Sequence, residues 1–134
     1  MEYITSVLQI DVLFPWIMAM FLGIFVGGIP GLTATMAVAL IVPITYHMQP
    51  IAGLAMILGV SFTAIFAGDI PATFLRIPGT PASGAAILDG YEMTKQGRGP
   101  MAIALDLSCS VIGGVIGILI LMTIAPFLAE FALT

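Results

Sequence analysis

Charge is what this sequence has least of. Lys and Arg together number three, histidine appears once, and only 7% of the chain is charged, while 60% is hydrophobic and the mean hydropathy is +1.20. A soluble domain carries about a quarter charged residues, so this chain is read as an integral membrane protein whose solvent is mostly lipid. With no basic patch, nucleic acid is excluded as a partner. A single cysteine, Cys109 between Ser108 and Ser110, allows no intrachain disulfide and no metal set, and reads as a packing residue. His47 has no companion ligands and reads as interfacial. No Ser-His-Asp set and no phosphate loop with its lysine occur, so nothing supports an enzyme. Met-Glu-Tyr-Ile-Thr precedes the first apolar run without Lys or Arg, so it lacks a secretory n-region and the first helix is expected to be retained.

The few charges that exist are concentrated. Arg76, Lys95 and Arg98 are the whole basic complement, and Asp69, Asp89, Glu92 and Asp106 lie among or just beyond them. In the same region Ile77-Pro78-Gly79-Thr80-Pro81-Ala82-Ser83 interrupts an apolar run with two prolines and a glycine. Such a sequence stops a helix and leaves backbone groups bare.

The rest of the chain divides around these features. Residues 1–11 read as a short interfacial segment. Residues 12–46 are apolar for about 35 positions, where one crossing needs about 20, and Gly27-Gly28-Ile29-Pro30-Gly31 marks the division. Expected helices cover approximately 12–28, 33–46 and 51–68, with Thr33 and Thr35 as caps for the second and Asp69 closing the third. Residues 70–90, split by the Pro-Gly break into arms too short to cross, read as a re-entrant hairpin. A polar loop at 89–99 precedes a last helix at 100–133, with Pro100 in its first turn. Lys95 and Arg98 place that loop in the cytoplasm by the positive-inside rule. A full turn at 27–31 would put the N-terminus outside; one broken, tilted span would put it inside. Uncompensated Glu2 and Asp11 favour outside. Trp16, Tyr3, Tyr46 and Tyr91 fall near the proposed helix ends, as interfacial rings do.

The break at 29–35, Ile-Pro-Gly-Leu-Thr-Ala-Thr, is echoed at 77–83. Each would expose the N-terminal end of a helix within the membrane, with up to four unpaired N–H groups and about half a positive charge, which favours an anion. Broken helices of secondary transporters hold anionic substrates in this way; ordinary turns at the membrane surface are the other reading. At the second break a carboxylate cradle would comprise the N–H groups of residues 79–83 with Thr80, Pro81 and Ser83. In it Thr80 is the N-cap, Pro81 the first helical residue and Ser83 a first-turn donor, so Thr80→Val is expected to weaken uptake without lowering the amount of folded protein. Arg76 either assists the anion, snorkels to headgroups or pairs with Asp69, seven residues away. Asp106 faces a cytoplasmic vestibule or takes part in cation coupling. Gly23 with Gly27, and Gly113 with Gly117, read as helix-packing pairs.

Taken in order, Gly23 to Leu32 with its Gly-Gly-Ile-Pro-Gly, the helix to Pro43-Ile-Thr45, Ile77 to Ser83, Asp89-Gly-Tyr-Glu-Met93, Gly97-Arg-Gly99, Gly113-Gly114 and Ala125-Pro126 resemble the start of the large membrane subunit of tripartite tricarboxylate transporters, the TctA family. The resemblance implies an all-α polytopic protein of the inner membrane, part of an inverted-repeat carrier for tricarboxylates or other small carboxylates. It implies drive by a sodium or proton gradient, no cofactor, a small membrane subunit and a periplasmic solute-binding protein as partners, and Pro-Gly hairpin tips at the substrate site. Those tips fall here at Pro30 and Gly31, with Thr33 beside them, and at Pro78, Gly79, Thr80 and Pro81. Family members are several times longer, so the chain is expected to be an N-terminal fragment that does not transport alone. Charged Asp69 and Arg76 depart from the family pattern and point to a divergent branch whose substrate need not be citrate. Two other classes fit the composition: a non-transporting assembly subunit that binds helices through Gly-xxx-Gly faces, and a channel-like pore of several copies.

Overall fold

A computed structural model describes residues 7–81 and 83–132, with only the backbone described at Glu130 and Ala132. The expected roles of Tyr3 and Glu2, and the position of Ala82 in the second break, lie outside the described residues. Five helices are described: α1 (Ile10–Gly28), α2 (Ala34–Thr45), α3 (Pro50–Leu75), α4 (Ser83–Lys95) and α5 (Gly99–Ala132), with no strand among the described residues. Three of them, α1, α3 and α5, are long and apolar enough to cross a membrane. The protein is an all-helical integral membrane protein.

Local chemistry sets the ends of the first three helices. Ile29, held extended at φ −89° and ψ 117° ahead of Pro30, closes α1. Gly31 takes φ +95°, a left-handed turn that only glycine adopts without cost. Thr33 then caps α2 by accepting the Met36 N–H at 3.3 Å. Gln49, extended ahead of Pro50, opens α3 with proline in its first turn.

The third helix does not stop at Asp69. It runs on through Pro71 to Leu75, so the expected first arm of a separate hairpin is instead the end of α3. Proline inside a helix removes one hydrogen bond and costs about 3 kcal/mol. Ending the helix at Asp69 would strand up to four carbonyls in apolar surroundings, each costing on the order of several kcal/mol, so continuation wins. The stop comes at Arg76, which adopts the left-handed conformation (φ 60°, ψ 29°), and its N–H and that of Ile77 return to the Pro71 carbonyl. Pro78 forbids resumption. Likewise, α4 extends to Lys95, so much of the expected polar loop at 89–99 is helix.

Small residues hold α1 against α3. A Cβ added at Gly23 would overlap the Thr63 hydroxyl and Val60 backbone, one at Gly27 the Ala64 backbone, and one at Gly59 would fall 2.6 Å from the Trp16 ring. The partners ascend together, so α1 and α3 run parallel, and α2 returns antiparallel to α3 with Thr45 against Gly53. Ala19, Val26, Ala37, Ile41, Met56, Val60 and Ala64 form the core at this junction. Hydroxyls buried in apolar helix are satisfied on their own backbone: Ser61 donates to the Ile57 carbonyl at 2.7 Å and Thr63 to that of Gly59 at 2.8 Å.

Residues 104–134 form a second unit. Within it α5 is apolar on every side, Cys109 is exposed, and Ser108 and Thr123 donate back to carbonyls of their own helix. The exposure of Cys109 overturns its reading as a packing residue. A Cβ at Gly113 or Gly117 would meet nothing within 4 Å, so the packing expected of that pair is not seen.

Candidate functional site

After Arg76 the chain turns back along α3. Gly79 comes to rest on Gly68, so close that a Cβ on Gly79 would lie 2.7 Å from the Gly68 Cα and 2.8 Å from its carbonyl oxygen. From that low point α4 climbs beside the end of α3: Gly90 faces Thr73, and the Thr94 hydroxyl donates to the Thr73 carbonyl at 2.9 Å. Gly68 lies seven residues before Leu75, which puts the tip about 10 Å below the end of α3. An irregular, non-helical segment thus descends and a helix returns; this differs from two helical arms, and a re-entrant hairpin in that sense is not confirmed.

The descent brings the two Ile-Pro-Gly breaks together, although 48 residues separate their prolines. Gly31 and Thr33 from the first, and Pro78, Gly79, Thr80 and Pro81 from the second, line one cavity of about 380 Å³, with Gly84 completing the wall. The N-termini of α2 and α4 both begin here, bringing two partial positive charges toward one space. A second cavity of similar volume, between α1 and α3, is lined by Val12, Trp16, Leu54, Leu58 and Phe62 among others and offers no charged group to a ligand.

Several expected contributors stand elsewhere. Ser83 is fully buried and absent from the cavity wall; its hydroxyl lies 2.7 Å from that of Thr80, and its N–H donates to the Thr80 hydroxyl at 3.2 Å. Thr80 is therefore not the residue adjoining the helix but a cap reaching Ser83 from three positions upstream. Either hydroxyl can donate in the Thr80–Ser83 contact; when Ser83 donates, the Thr80 O–H is left to donate to a ligand. Pro30 is exposed beside Gly31, outside the wall. Arg76 is also outside it, with its guanidinium 5.6 Å from the centre of the Tyr91 ring. Asp69 is buried on α3 next to Gly68. Asp106, on α5, is partly buried, and its Oδ2 has no hydrogen-bond partner among the described residues.

Sequence reasoning missed Gly68 and Gly84. Gly68 was hidden in an apolar run, and only its apposition to Gly79 shows why a side chain is excluded. Gly84 directly follows Ser83, so the run of small residues after the break was its only signal.

A family model described as the tripartite tricarboxylate transporter TctA family matches residues 13–134. An uncharacterised 52.8 kDa protein in the TAR-I ttuC' 3' region of Agrobacterium vitis is 35% identical over 112 residues, covering 84% of this chain and 22% of that protein. This chain thus spans about a fifth of that relative's length. No solved structure matches. The chain belongs to the tripartite tricarboxylate transporter TctA family.

Proposed function

We propose that this protein contributes the first half-site of a cation-coupled secondary carrier for tricarboxylates or other small carboxylates in the cytoplasmic membrane. A small membrane subunit and a periplasmic binding protein that delivers the solute complete the system. One observation carries the reading: two breaks remote in sequence converge on one cavity at which two helices begin. A carboxylate there would accept from first-turn N–H groups and the Thr80 hydroxyl, favoured by both helix dipoles. Among the described residues no basic side chain lines the wall, so substrate charge would be balanced by those dipoles and by the co-transported sodium ion or proton. Asp69, buried on α3 next to Gly68, is the first candidate carboxylate for such coupling, and Asp106 the second. Arg76 is withdrawn as a direct substrate ligand because its head group stands over Tyr91. Catalysis has no part in this reading.

The test is uptake of labelled di- and tricarboxylates by cells producing the protein with its partner subunits, under imposed sodium or proton gradients. Gradient-dependent uptake, lost in Gly79→Ala at equal membrane abundance, is the expected result. Conductance without a gradient would favour a pore, and absence of carboxylate uptake in the complete system would favour an assembly subunit.

A further inference from the structure

The basic residues of the protein gather at one end of it and are not used by the cavity. Arg76 follows α3, Lys95 ends α4 and Arg98 precedes α5. Two of them meet on one ring: the Arg76 guanidinium lies 5.6 Å and the Lys95 ammonium 5.0 Å from the centre of Tyr91. Arg76 occupies a left-handed position where glycine is the usual residue, and the side chain so placed is exposed. Lys95 also pairs with Glu92 at 2.9 Å, but with the side chains 51% and 61% exposed that pair is weak and exchangeable. Around the cluster Phe74, Leu75, Ile77 and Leu88 are exposed apolar residues.

We propose that Arg76, Tyr91 and Lys95 form a binding site for the phosphate of an anionic phospholipid headgroup in the adjacent leaflet. Two cations, each within about 6 Å of the same ring centre, invite an anion that draws on both. The apolar skirt says where that anion comes from, since acyl chains would lie along Phe74, Leu75, Ile77 and Leu88 while the headgroup meets the cations. Asp89 and Glu92, exposed on the same helix, leave one net positive charge at this end. Affinity is therefore modest and adjustable through Glu92.

With only three basic side chains in the chain, the dependence on lipid charge can be mapped completely. The purified protein is titrated with phosphatidylglycerol or phosphatidylcholine of matched acyl chains, and bound lipid is counted by native mass spectrometry. The wild type should retain phosphatidylglycerol preferentially, Arg76→Gln with Lys95→Gln should lose at least fivefold of that affinity with phosphatidylcholine unchanged, and Glu92→Gln should gain two- to threefold. Equal retention of both lipids, or undiminished phosphatidylglycerol binding in the double variant, would overturn the proposal. Displacement of phosphatidylglycerol by millimolar inorganic phosphate would overturn the lipid as its source. Should the double variant fail to fold, Glu92→Gln alone decides, because a purely structural cluster gives no gain.

Discussion

Thr80 carries two duties, and they set how it can be tested. Its hydroxyl caps the Ser83 N–H and meets the Ser83 hydroxyl where Ser83 is fully buried. Thr80→Val therefore strands a buried hydroxyl and removes a cap, costing about 1–3 kcal/mol, so the expectation that folding would be spared does not survive. Thr80→Ser keeps the hydroxyl and should stay within about 1 kcal/mol of wild type by thermal denaturation, with most uptake retained. Gly84 offers the complementary experiment. A Cβ there meets nothing within 4 Å, so Gly84→Ala should fold at least as well, gaining up to about 1 kcal/mol of helix propensity. Its methyl narrows the cavity, and uptake should shift toward smaller carboxylates; an unchanged substrate profile would remove Gly84 from the site.

At the scale of elements, close backbone approach is the governing feature. Gly79→Ala forces a methyl into the Gly68 backbone, which cannot yield as a flexible side chain would, so the tip must rise and uptake should fall at least tenfold. Gly27→Ala drives the same conflict between α1 and α3 and should destabilise by about 1–3 kcal/mol. Gly113→Ala, which meets nothing, should be neutral or slightly stabilising in the same assay. Similar effects at Gly27 and Gly113 would contradict the α1–α3 packing described above. These elements were unevenly legible in the sequence. Proline and glycine signals marked the boundary at 29–33, the start of α3 and the cap at Thr33, because those signals act within a few residues. They misled at Pro71, where the local cost of proline lost to the nonlocal cost of unpaired carbonyls. The descent of residues 76–81 onto Gly68 was invisible, since it depends on a glycine apposition between separate elements.

For the whole molecule, parallel α1 and α3, with α2 returning antiparallel to α3, put the starts of α1 and α3 on one side and Arg76, Lys95 and Arg98 toward the other. With the basic end cytoplasmic, single cysteines at Gln49 and Gln96 in a Cys109→Ser background should be labelled from opposite faces of sealed vesicles. The convergence of both breaks was anticipated only as a likeness of two motifs; which groups face the cavity was not legible, since Ser83 and Arg76 turn away for reasons of burial and capping that involve other elements. The most direct test of the shared site uses the same background. Thr33→Cys and Gly84→Cys, one from each break, are assembled with the partner subunits and labelled with a small hydrophilic thiol reagent, with and without transported carboxylate. Protection of both cysteines at the same half-saturating concentration is the predicted result; protection of one without the other, or of neither, would contradict a single site built from the two breaks.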